Sequence, residues 1–192
     1  MTASNCSPDG LPPLPPLPIS VTTELRQSHG FSDYAHWDIP KKLMQGSRPG
    51  FGLDDTTTMA EQVKKIVGED VETAAKQFGM PPPSFLYYGI IGMKTAKSID
   101  SLSIAAADLA KRIKLGETLY IHCGGGVGRA GLVSACVMGM LYKNLDADAA
   151  IAYTTGLCHL RNLEGKEEKH YSSPETEEQK DQVRRFFETL RE

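Results

Sequence analysis

A single run, Leu119-Tyr-Ile-His-Cys-Gly-Gly-Gly-Val-Gly-Arg-Ala-Gly131, sets the tightest limit on how this chain can fold. Leu119 to Cys123 reads as a short strand, Gly124 to Gly128 as a turn that small residues permit, and Leu132 to Leu141 as an apolar helix. Cys123 closes the strand and Arg129 opens the helix, with five residues between them. Such a turn gathers successive backbone N–H groups around one point, and the helix directs its positive end at the same place. An anion the size of phosphate fits there. The same field favours a thiolate at Cys123, which makes it a nucleophile, and the planar fork of Arg129 can grip two oxygens of a phosphoryl group.

A second pattern lies inside the first. Gly126-Val-Gly-Arg-Ala-Gly131 is also a G-x-G-x-x-G, the dinucleotide-binding fingerprint. That reading requires a second strand ending in an acid about 20 residues later. The region in question, Lys143-Asn-Leu-Asp-Ala-Asp-Ala-Ala-Ile151, reads instead as a turn followed by a helix. The anion cradle is therefore preferred, with the dinucleotide loop as the alternative. An anion cradle with a thiolate also leaves arsenate or sulfur-transfer chemistry open.

The chain has 192 residues, enough for one α/β domain with short appendages. Its net charge of −3 points to no general affinity for nucleic acid or acidic membranes. No apolar run is long enough to span a bilayer, and no secretory leader is expected from the opening residues. Cys6, Cys123, Cys136 and Cys158 have neither metal-ligand nor disulfide-framework spacing, and no histidine pair has ligand spacing. No metal and no cofactor are expected, and a free thiolate suits a cytoplasmic or nuclear setting.

Composition separates residues 1–30, expected as a disordered proline-rich tail, from a domain over 31–192. Pro12-Pro-Leu-Pro-Pro-Leu-Pro18 should adopt polyproline II, as a stiff tether or as a ligand for an SH3 or WW groove. The stretch from Trp37 to Gly50 reads as an edge strand because of Pro40. Helices are expected from Asp54 through Val67, from Glu69 to Phe78 and from Ser98 to Lys114, with a strand over Phe85–Ile91. Further helices should begin at Asp146 and run from Glu175 to Leu190, with His159 to Lys169 a charged, solvated loop between them.

His122-Cys123 with Gly126 and Arg129 fits H-C-x-x-G-x-x-R, the signature of the cysteine-dependent protein phosphatases. The run Thr118–Arg129 resembles the dual-specificity branch and, within it, the kinase-associated (cyclin-dependent kinase inhibitor 3) type. The likeness is specific over residues 117–141, continues through Pro174-Glu-Thr-Glu-Glu-Gln179, and is weak before residue 85. It implies a protein tyrosine phosphatase-like fold, a central and mostly parallel sheet flanked by helices. Cys123 would be the nucleophile, and Gly124, Gly125, Gly126, Val127, Gly128 and Arg129 would hold the phosphate. His122 would support the loop and the thiolate. The substrate implied is a phosphorylated protein, a kinase among the candidates. The lack of lysine within Gly124–Gly128 favours protein over inositol phosphates, although Lys94 and Lys97 flank the same mouth.

Three positions depart from the family pattern. Relatives carry an aspartate general acid about thirty residues before the cysteine, where this chain has Tyr88-Gly-Ile-Ile-Gly-Met-Lys-Thr-Ala-Lys97, with Gly92 at the acid's place. Asp100, and more distantly Asp54 and Asp55, are the nearest carboxylates, although acids at helix starts often serve the dipole alone. Ala130 stands where most relatives have a hydroxyl. Glu175 stands at a water-positioning glutamine's place, while Gln179 is kept as a possible accessory. The resemblance therefore implies a phosphomonoester hydrolase working through phosphocysteine and slow in its proton transfers. The alternative is a phosphate-binding relative with impaired catalysis.

Overall fold

Pro40 divides the expected edge strand in two. The computed structural model describes residues 10–28, 35–48, 86–161 and 171–191. Along the chain these form α1 (Thr23–Ser28), β1 (Ala35–Ile39), β2 (Leu43–Ser47), α2 (Ile99–Lys114), β3 (Leu119–Cys123), α3 (Gly128–Leu141), α4 (Ala147–Cys158) and α5 (Glu177–Thr189). The helices expected around Asp54–Val67 and Glu69–Phe78 lie outside the described residues. β1 and β2 pair antiparallel across a tight turn in which the Lys42 N–H donates to the Ile39 carbonyl at 3.0 Å. Pro40 sits in that turn, where its missing N–H removes no ladder bond.

β3 adds to the other side of β2 in parallel, giving the order β1-β2-β3. The α/β architecture is as expected, but the described sheet is mixed rather than mostly parallel. Its register runs from Leu43 opposite Leu119 to Ser47 opposite Cys123. That register decides the site, because it sets the side chains at the end of β2 beside the cysteine.

Residues 86–91 are not a strand. Tyr88 and Ile90 pack against the core, while Leu86, Tyr87 and Ile91 are exposed. An apolar run of this length satisfies strand periodicity, but a strand exists only where a neighbour accepts its ladder bonds. The Ile90 carbonyl instead accepts from Arg129, and the Ile91 carbonyl from the Lys94 N–H.

α3 begins four residues before the apolar run that announces it, so Arg129 lies in its first turn. It is buried almost all round and forms the spine on which α2, α4 and α5 pack. Cys136 belongs to this core, and burial pushes its thiol well above the ordinary value, consistent with packing alone. Side chains cap three of the packed helices: Ser98 accepts from Ser101 N, Asp146 from Ala149 N, and Thr176 from Gln179 N.

The proline-rich segment is not a free tail over its described part. Leu11 is 2% exposed within the core, and Leu14 packs against it. The Tyr142 hydroxyl donates to the Pro12 carbonyl at 2.9 Å, and Ile19 covers Gly156 so closely that a Cβ there would meet it at 2.5 Å. Polyproline II repeats every three residues, so Leu11 and Leu14 share one face and can dock together.

Candidate active site

The loop between β3 and α3 is shaped by what its carbonyls do. The Gly124 carbonyl accepts from the Arg48 N–H at 2.9 Å. The Gly125 carbonyl accepts from the Ser47 hydroxyl at 3.1 Å and from Arg161 Nη2 at 2.9 Å. The Gly126 carbonyl accepts from Gln45 Nε2 at 2.9 Å and from Arg161 Nη1 at 3.1 Å. The Val127 carbonyl accepts from the Ser173 hydroxyl at 2.8 Å. Four successive carbonyls are thus held on one side of the loop. In a trans peptide the N–H opposes the C=O, so the amides of Gly125, Gly126, Val127 and Gly128 face the other side. That is the side an anion would occupy.

The donors come from three separate parts of the chain. Gln45 and Ser47 stand on β2, placed there by its parallel register with β3. Arg161 follows α4 and is 2% exposed. Its Nη2 also donates to Ser47 Oγ at 2.9 Å, so the guanidinium fork spans two carbonyls and a hydroxyl. Ser173 is itself fixed by α4, since its N–H donates to Thr155 Oγ1 and its carbonyl accepts from Thr155 and Thr154.

Two glycines are required by this packing. Gly126 has φ +69, and a Cβ there would fall inside the backbone of Gly46 on β2. A Cβ on Gly128 would stand 3.0 Å from Gln179 Oε1 and 3.1 Å from Glu175 Oε2. The segment before α5 therefore closes directly over the start of α3. Val127 caps α3 without a side-chain hydrogen bond, so the first-turn amides of α3 have no side-chain acceptor of the usual kind.

Cys123 is half-buried at the end of β3, opposite Ser47. Arg129 is half-buried, and one of its N–H groups donates to the Ile90 carbonyl at 3.1 Å. His122 is exposed, with its ring against Tyr120 at 5.7 Å and Nδ1 3.5 Å from the Cys123 carbonyl. None of the four loop carbonyls bonds to it among the described residues. The supporting role expected of His122 is filled here by Arg161, Gln45, Ser47 and Ser173. Tyr120 reaches the same edge and donates to the Ser47 carbonyl, with burial raising its phenol.

The expected place of the general acid is a turn tip. Gly92 and Met93 form its corner, with Met93 at φ 62 and the Lys94 N–H closing onto the Ile91 carbonyl at 3.0 Å. Tight bonds hold this turn to α5. Gln179 Nε2 donates to the Lys94 carbonyl at 3.0 Å, while Gln182 accepts from Ala96 N and donates to Ala96 O. Gln179 is therefore a brace that also accepts from the N–H groups of Glu175 and Thr176. Asp100 is exposed on the first turn of α2 and makes no hydrogen bond or ion pair among the described residues. Asp54 and Asp55 lie outside the described residues.

Beneath the cradle, the His36 ring lies 3.1 Å from Asp38 Oδ1, and the Ser134 hydroxyl donates to Asp38 Oδ2, all fully buried. Desolvation lowers the imidazole's proton affinity, which Asp38 only partly offsets. A neutral His36 with Nε2–H directed at Asp38 fits this arrangement, and its Nδ1 has no hydrogen-bond partner among the described residues.

Sequence reasoning missed Arg161, Gln45, Ser47 and Ser173. Gln45 carried a faint signal as a polar residue within a strand. Arg161 carried none, since it opens a run that reads as charged and solvated, yet Leu160 and Arg161 are both buried. The rest of that run, residues 162–169, lies outside the described residues. Nor does a dinucleotide fold follow α3, because the next element is α4 and not a strand.

Comparisons with known proteins bear on the fold and the family. Among solved structures, the kinase associated phosphatase KAP, determined with its catalytic-site cysteine substituted by serine, is similar at 19% identity. The match covers 78% of this chain and 87% of that one, with a TM-score of 0.52. Tk-PTP in a mutant form is similar at 16% identity, over 78% of this chain and 92% of that one, with a TM-score of 0.50. Both likenesses show a shared fold. No curated protein sequence matches the chain. A family model described as "PTP-SAK: Swiss Army Knife protein, DSP-PTPase phosphatase domain" matches residues 32–172, which include the whole cradle and its brace Arg161. On that match the chain belongs to the PTP-SAK family, a dual-specificity phosphatase-like branch of the cysteine phosphatases.

Proposed function

We propose that the protein hydrolyses phosphomonoesters through a phosphocysteine at Cys123. The observation that carries this reading is the set of four carbonyls held to one side of the loop, which turns four amides to face a bound phosphoryl group. Cys123 attacks phosphorus, so an S–P bond forms as the ester O–P bond breaks. The loop amides and Arg129 stabilise the equatorial oxygens, preorganised and without rearrangement. Water then attacks the phosphocysteine, the S–P bond breaks and phosphate leaves. The substrate is a phosphorylated protein, and the fold shared with a kinase associated phosphatase supports a phosphorylated kinase as one candidate. A cytoplasmic or nuclear setting suits the free thiol of Cys123. Pro13 and Pro16 are exposed while Leu11 and Leu14 pack on the core, which supports an SH3 or WW domain as a second partner.

A phosphate-binding protein without turnover is the second reading. It is favoured by the turn at Gly92–Met93, which carries no carboxylate, and by buried Ala130, which offers no hydroxyl. Hydrolysis of an activated aryl phosphate by wild type and by Cys123→Ser separates the two. The hydrolase reading expects turnover, or at least a single-turnover burst, that disappears in the serine variant. Phosphate binding with no burst would replace it with the second reading.

A further inference from the structure

We infer that Glu175 is the carboxyl group that moves protons in this site, taking over from the acid missing at Gly92. The inference rests on the phosphocysteine reading and adds to it a catalytic residue from the segment just before α5. Glu175 Oε2 would lie 3.1 Å from a Cβ on Gly128, and the Gly128 amide is one of the four turned towards the anion. The position is built, not incidental. The Glu175 N–H donates to Gln179 Oε1 at 3.0 Å, and the same glutamine donates to the Lys94 carbonyl at 3.0 Å. One side chain therefore ties together Glu175 and the turn that lacks its acid. The capping box of Thr176 and Gln179 fixes the backbone just after Glu175. Glu175 is half-buried, so solvent reaches it.

The proton accounting closes over one turnover. As Cys123 attacks, the O–P bond to the leaving group breaks and the Glu175 carboxyl gives its proton to the departing oxygen. When water attacks the phosphocysteine, its proton passes to the Glu175 carboxylate and the sulfur leaves as thiolate. Glu175 ends the cycle protonated, as it began.

The test compares wild type, Glu175→Gln and Cys123→Ser on dinitrophenyl, nitrophenyl and phenyl phosphate, across roughly pH 5 to 8. Glutamine keeps the size and the backbone bonds but cannot give up a proton. The fall in kcat/KM should be smallest for dinitrophenyl phosphate and should grow to ~10²-fold or more for phenyl phosphate, whose leaving group most needs a proton. The limb of the pH profile that reports a protonated acid should flatten. A thermal melt and inorganic phosphate binding confirm that the variant is folded with its cradle intact. An equal fall on all three esters, an unchanged pH profile, or no fall would overturn the assignment while leaving Cys123-dependent turnover standing. Turnover that survives Cys123→Ser, or no turnover on any ester, would overturn the phosphocysteine reading and this inference with it.

Discussion

Replacing Arg161 with methionine removes the side chain that holds the centre of the cradle while keeping much of its length. Among the hydrogen bonds that go are those to the Gly126 and Gly125 carbonyls and to Ser47 Oγ. Bonds from a charged donor contribute roughly 1.5–3 kcal/mol each in isolation. Two effects reduce the sum. The Gly125 carbonyl keeps Ser47 and the Gly126 carbonyl keeps Gln45, so neither is left unsatisfied, and the buried cation no longer has to be desolvated. The expected loss of stability is about 2–4 kcal/mol, a drop in Tm of about 5–15 °C for a domain of this size. The larger effect is on function. The Gly125 and Gly126 carbonyls orient the Gly126 and Val127 amides, and removing one such donor typically costs ~10²–10³-fold in rate. Calorimetry of inorganic phosphate binding and steady-state hydrolysis of an aryl phosphate, both well below Tm, measure it. Arg161→Lys keeps the charge but lacks the planar fork that reaches two carbonyls and a hydroxyl together, so it should fall between wild type and methionine. If Arg161→Met binds phosphate and turns over within about twofold of wild type, the carbonyl brace does not set the amides and the reasoning fails. If lysine behaves like wild type, charge and not the fork is what matters.

Gly92→Asp is sterically free, since a Cβ there meets nothing within 4 Å, and it should raise turnover of phenyl phosphate more than that of dinitrophenyl phosphate. An unchanged ratio of the two rates would show that the acid of relatives does not belong at this turn. Gly126→Ala combines a positive φ with a clash against the Gly46 backbone, so phosphate binding should be lost together with at least ~3 kcal/mol of stability in denaturant titration. Retention of both would mean that β2 and the loop can separate. The His36 imidazole is held below its ordinary value of 6.5, so the unfolded chain takes up that proton first as pH falls. Stability should therefore decline as pH drops through about 6.5 and be fully present above it, and the slope should shrink in His36→Gln, read from Tm between about pH 5 and 7. Equal slopes in the two proteins would exclude His36 as the source.

Local sequence alone made the cradle's shape legible, together with the cysteine proposed to react in it. Glycines between a strand and a helix, a cysteine before them and an arginine after them need only local sterics and a helix dipole to be read. The caps Ser98 and Asp146 were equally legible, because capping involves residues only a few positions apart. Tertiary structure decided what holds the cradle open. Gln45, Arg161 and Ser173 meet at the loop from positions up to 128 residues apart, and no local pattern encodes a meeting of that kind. It also decided that residues 86–91 are not a strand, that Leu11 lies in the core, and that Glu175 rests against Gly128. The physical reason is the same in each case. Propensity and periodicity act along the chain, whereas hydrogen-bond satisfaction and packing act through space, and only folding shows which donors reach which carbonyls.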